Sequence, residues 1–220
     1  MKQTIAVIGA AGTMGSAIAR NLARAGHRVL LAGPSQDKLT TLLSSIKTDS
    51  PNADVETLDC SHEASWQADV ISPAVTYAAQ SEVAAKIKDV VTGKIVVSIA
   101  NPLNAEYDGL LTGPTTSAAE ELAKLLPHSK VVKAFNTVFG ADFNTPIVGG
   151  KTVDCFVAGD DERAVATVAQ LVKDAGFNPL VAGNLAASRT LENMMVLFIR
   201  LTMNNKYNWL AGWKVLHQGA

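Results

Sequence analysis

Only two of the 220 residues are cysteine, Cys60 and Cys155, and neither sits in a C-x-x-C or Cys/His ligand spacing. That excludes a disulfide framework and leaves two thiols expected to be buried in a cytosolic protein. The four histidines (His27, His62, His128, His217) are scattered, so the sequence supports no metal site. Net charge is also lacking. Nineteen Lys and Arg against 20 Asp and Glu give a formal charge of −1, which removes the electrostatic case for binding nucleic acid or an anionic membrane. No uninterrupted apolar stretch reaches membrane-spanning length. The first strand begins almost at the N-terminus, leaving no room for a signal peptide. A cytoplasmic protein is therefore expected. Missing too are a Ser/His/Asp set, carboxylates paired for acid–base work, and a nucleophile context for either cysteine.

What is present is hydrophobicity, 48% of residues against 18% charged, in a chain long enough to bury a sizeable core. The most informative stretch is Ile5-Ala6-Val7-Ile8-Gly9-Ala10-Ala11-Gly12-Thr13-Met14-Gly15. Four apolar residues form a strand wanting cover on both faces. Gly9, Gly12 and Gly15 follow at three-residue spacing, and a helix with Met14, Ile18 and Leu22 on one stripe comes next. A strand turning through glycines into a helix is a phosphate cradle. The glycines allow a tight turn and close approach to a pyrophosphate, whose charge meets free N–H groups and the positive end of the helix. The alternative is a merely tight turn.

Strands and helices then alternate. Strands are expected at Arg28–Ala32, Asp54–Leu58, Asp69–Pro73, Lys94–Ile99, Lys130–Phe135, Asp154–Ala158 and Pro179–Ala182. Helices are expected from Ser35 through Ile46, through Val83 to Ile87, and over Thr116–Leu126 and Glu162–Ala175. This is the pattern of a Rossmann-type, doubly wound, mostly parallel α/β sheet. Residues 1–183 form the dinucleotide-binding unit, and 184–220 form a helical extension. In that extension Leu191, Met194–Ile199 and Leu201 leave little polar face. It is expected to pack against a second subunit as a homodimer or, equally, as a core helix of the monomer.

An acid at the tip of strand two marks many NAD sites. Here that tip reads Ala32-Gly33-Pro34-Ser35-Gln36-Asp37-Lys38, with the first acid already inside the next helix. The missing carboxylate removes repulsion toward a 2′-phosphate, Ser35 offers a hydrogen bond and Lys38 a positive charge. These features tilt the reading toward NADP(H), although Ser35 as an N-cap and Lys38 as a solvated surface residue are the plain alternatives.

At this point the chain resembles the NADPH:deazaflavin-coenzyme (coenzyme F-420) oxidoreductases, a family that includes the reductase domains of eukaryotic six-transmembrane metalloreductases. The resemblance rests on Ile8-Gly-Ala-Ala-Gly-Thr-Met-Gly15, Lys94-Ile-Val-Val-Ser98 with Asn101-Pro-Leu103, Ser117-Ala-Ala-Glu-Glu121 and Val131-Val-Lys-Ala-Phe-Asn-Thr137. It continues in Val157-Ala-Gly-Asp-Asp161 and Ala182-Gly-Asn-Leu-Ala-Ala-Ser-Arg-Thr-Leu-Glu192. It implies a cofactor site of Gly9, Ala11, Gly12, Thr13, Met14, Gly15, Gly33, Ser35 and Lys38. Val75, Thr76, Ala100 and Asn101 would line the nicotinamide and its ribose. Ala134, Asn136 and Thr137 would border the second substrate. Two departures stand out: Gly33-Pro34 replaces a serine–arginine pair, and Asn136 stands where the deazaflavin reductases tend to have histidine. The expected activity is hydride transfer between NADP(H) and a planar acceptor such as a deazaflavin or flavin, the nicotinamide carrying the chemistry. The alternative is a non-catalytic dinucleotide sensor.

Overall fold

The computed structural model describes residues 2–218; Met1 and the last two residues of the expected C-terminal extension lie outside it. Its centre is β1 (Thr4–Ile8), where Ile5, Ala6 and Val7 are wholly inaccessible to solvent. A strand buried on both faces needs no polar alternation, which is why this one is a continuous apolar run. It pairs in parallel with β2 (Arg28–Ala32) on one side and β4 (Val70–Pro73) on the other. Beyond them lie β3 (Val55–Leu58), β5 (Ile95–Ser98) and β6 (Lys130–Lys133), giving the order β3-β2-β1-β4-β5-β6. The chain reverses direction of travel across the sheet at β1, and the carboxyl ends of β1 and β4 flank the switch point where such sheets bind ligands.

Residues alternate between two cores. Ile5, Val7, Val29 and Leu31 face a core shared with α1 (Thr13–Arg24), α2 (Gln36–Asp49) and α6 (Glu162–Asp174). Ala6, Ile8, Leu30 and Ala32 face the other, under α3 (Ser61–Gln67), α4 (Gln80–Ile87) and α5 (Ala118–Leu125). Helix α1 buries Gly15, Ile18, Ala19 and Leu22 along one stripe and ends ahead of Gly26 at φ +90°, as its sequence required. Ser117 caps α5 by accepting from the Glu120 N–H, and its hydroxyl donates to the Glu120 carboxylate at 2.9 Å.

A hairpin of β7 (Ile147–Val148) and β8 (Lys151–Thr152) precedes β9 (Asp154–Gly159), which joins β6 antiparallel. Strand β10 (Asn178–Gly183) then adds parallel to β9, completing eight strands. The sheet is thus mostly parallel, with one antiparallel junction. Strand β6 stops two residues short of its expected end because Phe135 adopts φ +60°, a left-handed conformation that throws the chain off the sheet.

The last helix, α7 (Ser188–Asn205), buries Leu191, Met195, Phe198, Ile199 and Thr202 within its own chain. Only its other side, with Leu197, Leu201 and Met203, stays open. The methionine in its middle, Met195, is packing. The extension is not helical to its end, which corrects the expectation for 184–220: Lys206 closes α7 in the left-handed conformation, and the irregular tail folds back onto β9. There the buried Asp154 carboxylate accepts from Lys214 at 2.7 Å and from the Val215 N–H at 2.6 Å. A second correction concerns the thiols. Cys155 is buried in β9, whereas Cys60 is exposed, because it occupies the turn between β3 and α3.

Candidate functional site

The three glycines of the first turn have three different reasons to be glycine. Gly9 lies at φ +81°, and a Cβ there would stand 2.5 Å from the Ala74 carbonyl oxygen. Gly15 lets α1 touch the turn, since a Cβ would meet the Gly9 oxygen at 2.4 Å. Gly12 has ordinary extended backbone (φ −75°, ψ 168°), and its nearest obstacle is the Gly9 oxygen at 3.3 Å. Its missing side chain leaves open the approach to the helix N-terminus. The first intrahelical bond runs from Ser16 N–H to the Gly12 carbonyl at 2.8 Å, so the N–H groups of Thr13, Met14 and Gly15 have no helical acceptor. Ala11, Gly12 and Thr13 are exposed around them. Free donors, an aligned helix dipole and a cleared approach fit a pyrophosphate.

Beside this turn opens a cleft of about 300 Å³ lined by Gly9, Gly33, Pro34, Asp59, Val75 and Val83, among others. It runs over the carboxyl ends of β1 to β4. Gly33 faces Gly9 without crowding, a Cβ there standing 3.9 Å from the Gly9 Cα. Ser35 occupies the N-cap position of α2, yet its hydroxyl makes no capping bond, and Lys38 is exposed in the first turn of that helix. Val75 falls in this cleft, while Thr76 is exposed at the start of a single helical turn, Tyr77–Ala79. Tyr77 fastens that turn to α5 by donating to Glu121 at 2.6 Å, a bond that pushes the phenol up to about 12.

The expected second-substrate residues Ala134, Asn136 and Thr137 are all buried. They build the wall from behind. Asn136 and Asn101 clasp each other: the Asn101 amide donates to the Asn136 carbonyl and the Asn136 amide to Asn101 Oδ1, both at 2.9 Å. The Asn136 amide also donates to the Leu191 carbonyl of α7 at 3.0 Å, while its Oδ1 and the Thr137 hydroxyl have no partner among the described residues.

Two features of this region escaped the sequence reading. Lys133 and Glu192 form an ion pair at 2.6 Å with both side chains fully buried. Lys133 also donates to the Ala100 carbonyl at 2.6 Å, and Glu192 accepts from the Ala118 and Ala119 N–H groups at the start of α5. Burial pulls the Lys133 ammonium below its usual range, and the adjacent carboxylate opposes that. The signal was there: a lysine inside an apolar strand and a lone acid within the apolar reach of α7 need one another when both are buried.

Phe139, at the end of the loop after β6, is the other. With Tyr107, Met195, Ile199, Met203 and Trp209 it lines an apolar pocket of about 440 Å³ against α7. Phe139 stacks on Phe198 at 4.5 Å between ring centres and meets Trp209 edge-on at 5.4 Å. Asp142 anchors this phenylalanine, accepting from its backbone N–H at 2.8 Å, and burial pushes the carboxyl up to about 6. The loop also touches the cradle: a Cβ on Gly140 would lie 2.8 Å from Thr13 Cγ2. Among the described residues no group of three or more His, Cys, Asp or Glu side chains could hold a metal.

Sheet order, glycine turn and switch-point crevice define a Rossmann-type α/β protein. Residues 4–102 match the family of NADP oxidoreductases described as coenzyme F420-dependent. The chain is 29% identical over 214 residues to an F420-dependent NADP reductase of Methanocaldococcus jannaschii, spanning 92% of this chain and 93% of that one. A crystal structure described as a candidate F420-dependent NADP reductase from Arthrobacter sp. FB24 superposes with a TM-score of 0.79. That pair is 29% identical and covers 93% of this chain and 95% of the other. The metalloreductase STEAP3 of Rattus norvegicus is 36% identical over 107 residues, 48% of this chain and 21% of its own length. The resemblance carried by the motifs therefore stands: the family match covers residues 4–102, a little under half of the chain, and the similarity to the F420-dependent NADP reductase of Methanocaldococcus jannaschii covers nine-tenths of it.

Proposed function

We propose that the protein is an NADP-dependent oxidoreductase that moves hydride between NADP(H) and a planar acceptor of flavin or deazaflavin type. The observation that carries this reading is that the loop after β6 touches two sites at once, with Gly140 against Thr13 and Phe139 in a pocket lining. One is the glycine cradle with its adenosine-sized cleft, and the other is the apolar pocket between Phe139 and α7. The names of the relatives, F420-dependent NADP reductases, support the same pairing of coenzyme and acceptor. When bound, the coenzyme supplies the hydride from its nicotinamide ring. The chain contributes orientation and dryness. Thr13 and Met14 hold the pyrophosphate, the Asn101–Asn136 clasp and the Lys133-anchored Ala100 carbonyl fix the wall beside the nicotinamide, and Phe139, Met195 and Ile199 exclude water from the acceptor side.

The absent acid at the tip of β2, the uncommitted Ser35 hydroxyl and the exposed Lys38 favour NADP(H) over NAD(H). A purely sensory protein is the second reading of a site without an acid–base residue; the open apolar pocket favours catalysis. Titration with NADPH and NADH, followed by absorbance with deazaflavins, flavins, quinones and ferric chelates, tests both points. NADPH is expected to bind more tightly and to be oxidised by a planar acceptor. Lys38→Ala should weaken NADPH about fivefold more than NADH, the scale of one lost charge-assisted contact. Tight binding with no oxidation by any acceptor would leave the sensor, and equal losses for both nucleotides would remove the role of Lys38.

The exposed thiol of Cys60 suits a reducing compartment, and we place the protein in the cytoplasm. We also propose that the open side of α7, with Leu197, Leu201 and Met203, joins a second copy of the chain. The tail that follows the helix carries further exposed apolar side chains, Tyr207 and Leu210 among them. Gel filtration should show twice the chain mass, and a monomer at micromolar concentration would refute the interface.

A further inference from the structure

The cleft beside the glycine turn holds a polar group that the proposed chemistry does not use. Its faces are largely apolar: Pro34 follows the end of β2, Val75 and Ala79 come from the segment leading into α4, and Val83 from the first turn of that helix. Two carboxylates line it, in different states. Glu82 is committed to Lys86 at 2.6 Å, one helical turn away. Asp59, the residue immediately after β3, is exposed at the cleft, and among the described residues its carboxylate has no hydrogen-bond or ion-pair partner. An apolar slot with one uncommitted carboxylate suits a flat aromatic base that presents an N–H donor at its edge.

We propose that Asp59 reads the base of the dinucleotide, accepting a hydrogen bond from the exocyclic amine of adenine. The proposal rests on the coenzyme reading above and adds the residue that sets its base specificity. The route across the sheet supports it. The pyrophosphate belongs at the turn after β1, the ribose at Gly33 and Pro34 after β2, and the cleft continues to Asp59 after β3. The base is thereby sandwiched between Pro34 and the apolar start of α4, its edge toward Asp59. Ser61, which also lines the cleft, can donate or accept and so does not discriminate between bases. A carboxylate can only accept. It rewards an amine and repels a carbonyl, so a hypoxanthine base, with oxygen where adenine has its amino group, sets lone pairs against lone pairs.

The experiment compares NADPH with reduced nicotinamide hypoxanthine dinucleotide phosphate. Binding is read by isothermal titration, independently of turnover, in the unaltered protein and in Asp59→Ala and Asp59→Asn. The unaltered protein is expected to prefer the adenine coenzyme by about tenfold, the scale of one hydrogen bond to a charged acceptor. Asp59→Ala should bring the two within about twofold, mainly by weakening NADPH. Asp59→Asn should also close the gap, by tightening the hypoxanthine coenzyme, since its amide can turn a donor toward the carbonyl. Asp59 is exposed and, among the described residues, has no hydrogen-bond or ion-pair partner, so thermal melting should show both variants folded as well as the parent. Equal affinity for the two coenzymes in the unaltered protein, or an unchanged preference in Asp59→Ala, overturns the assignment and leaves the coenzyme reading intact. Binding of neither coenzyme overturns both.

Discussion

Glu192→Ala is expected to be among the most destabilising single substitutions in the chain, costing about 3–5 kcal/mol in a urea titration, the range for breaking a buried ion pair on one side. The reason is what the alanine leaves behind. Lys133 would keep a fully buried ammonium whose one remaining acceptor among the described residues is the Ala100 carbonyl, and Ala118 and Ala119 would lose the acceptor for their buried N–H groups. Desolvation already draws the Lys133 ammonium down; without its counter-ion it has more to gain by shedding the proton. Lys133→Met should cost less, because a flexible apolar chain of similar length fills the space and the Glu192 carboxylate keeps the N-terminus of α5. Combining Lys133→Met with Glu192→Met should cost well short of the sum of the two single changes, since each removes the charge the other strands. Strict additivity, or a Glu192→Ala cost below 1 kcal/mol, would mean that the pair is solvated in solution and does not hold α7 to the sheet.

That pair also explains where sequence reading stops. The alternation of elements, the glycine turn and the core stripes of α1 and α6 are local periodicities, and local periodicity is visible in one dimension. Strand β1 was legible because a strand buried on both faces has no polar residue to obscure it. Helix α3 was missed: its Ser61-His62-Glu63-Ala64-Ser65-Trp66-Gln67 buries only Ala64 and Ser65 and carries no apolar stripe. Asn101 and Asn136 could be named by resemblance, but not their clasp, which joins positions 35 residues apart through loops. The partnership of Lys133 with Glu192 spans 59 residues and depends on α7 packing beside α5. Likewise the reach of α7 was overestimated because the tail is apolar, and an apolar tail can pack as coil when a buried acid such as Asp154 recruits its backbone.

Gly12→Val should separate ligand binding from folding more cleanly than any other change in the glycine turn. The backbone at Gly12 lies in the extended region open to every residue, so a valine there adopts no strained conformation. Its Cβ must displace the Gly9 oxygen by only a few tenths of an ångström, and the side chain then points into open space. The stability cost should be about 1 kcal/mol, what a β-branched residue loses against glycine at a helix N-cap. Binding is another matter. The added methyl groups occupy the approach to the Thr13, Met14 and Gly15 N–H groups, so NADPH affinity should fall by a factor on the order of 100 or more, close to 3 kcal/mol. Gly15→Val supplies the contrast. There a Cβ would lie 2.4 Å from the Gly9 oxygen and 2.9 Å from the Ala10 Cα, so α1 must move off the turn and the protein should lose stability as well as affinity. Urea midpoints and calorimetric titrations of both variants decide the matter. A Gly12→Val protein that is folded and binds NADPH normally would reduce the glycine run to a tight turn; one that unfolds would show that the second glycine serves packing. The expected result, a stable protein blind to its coenzyme, would place the pyrophosphate at the N-terminus of α1.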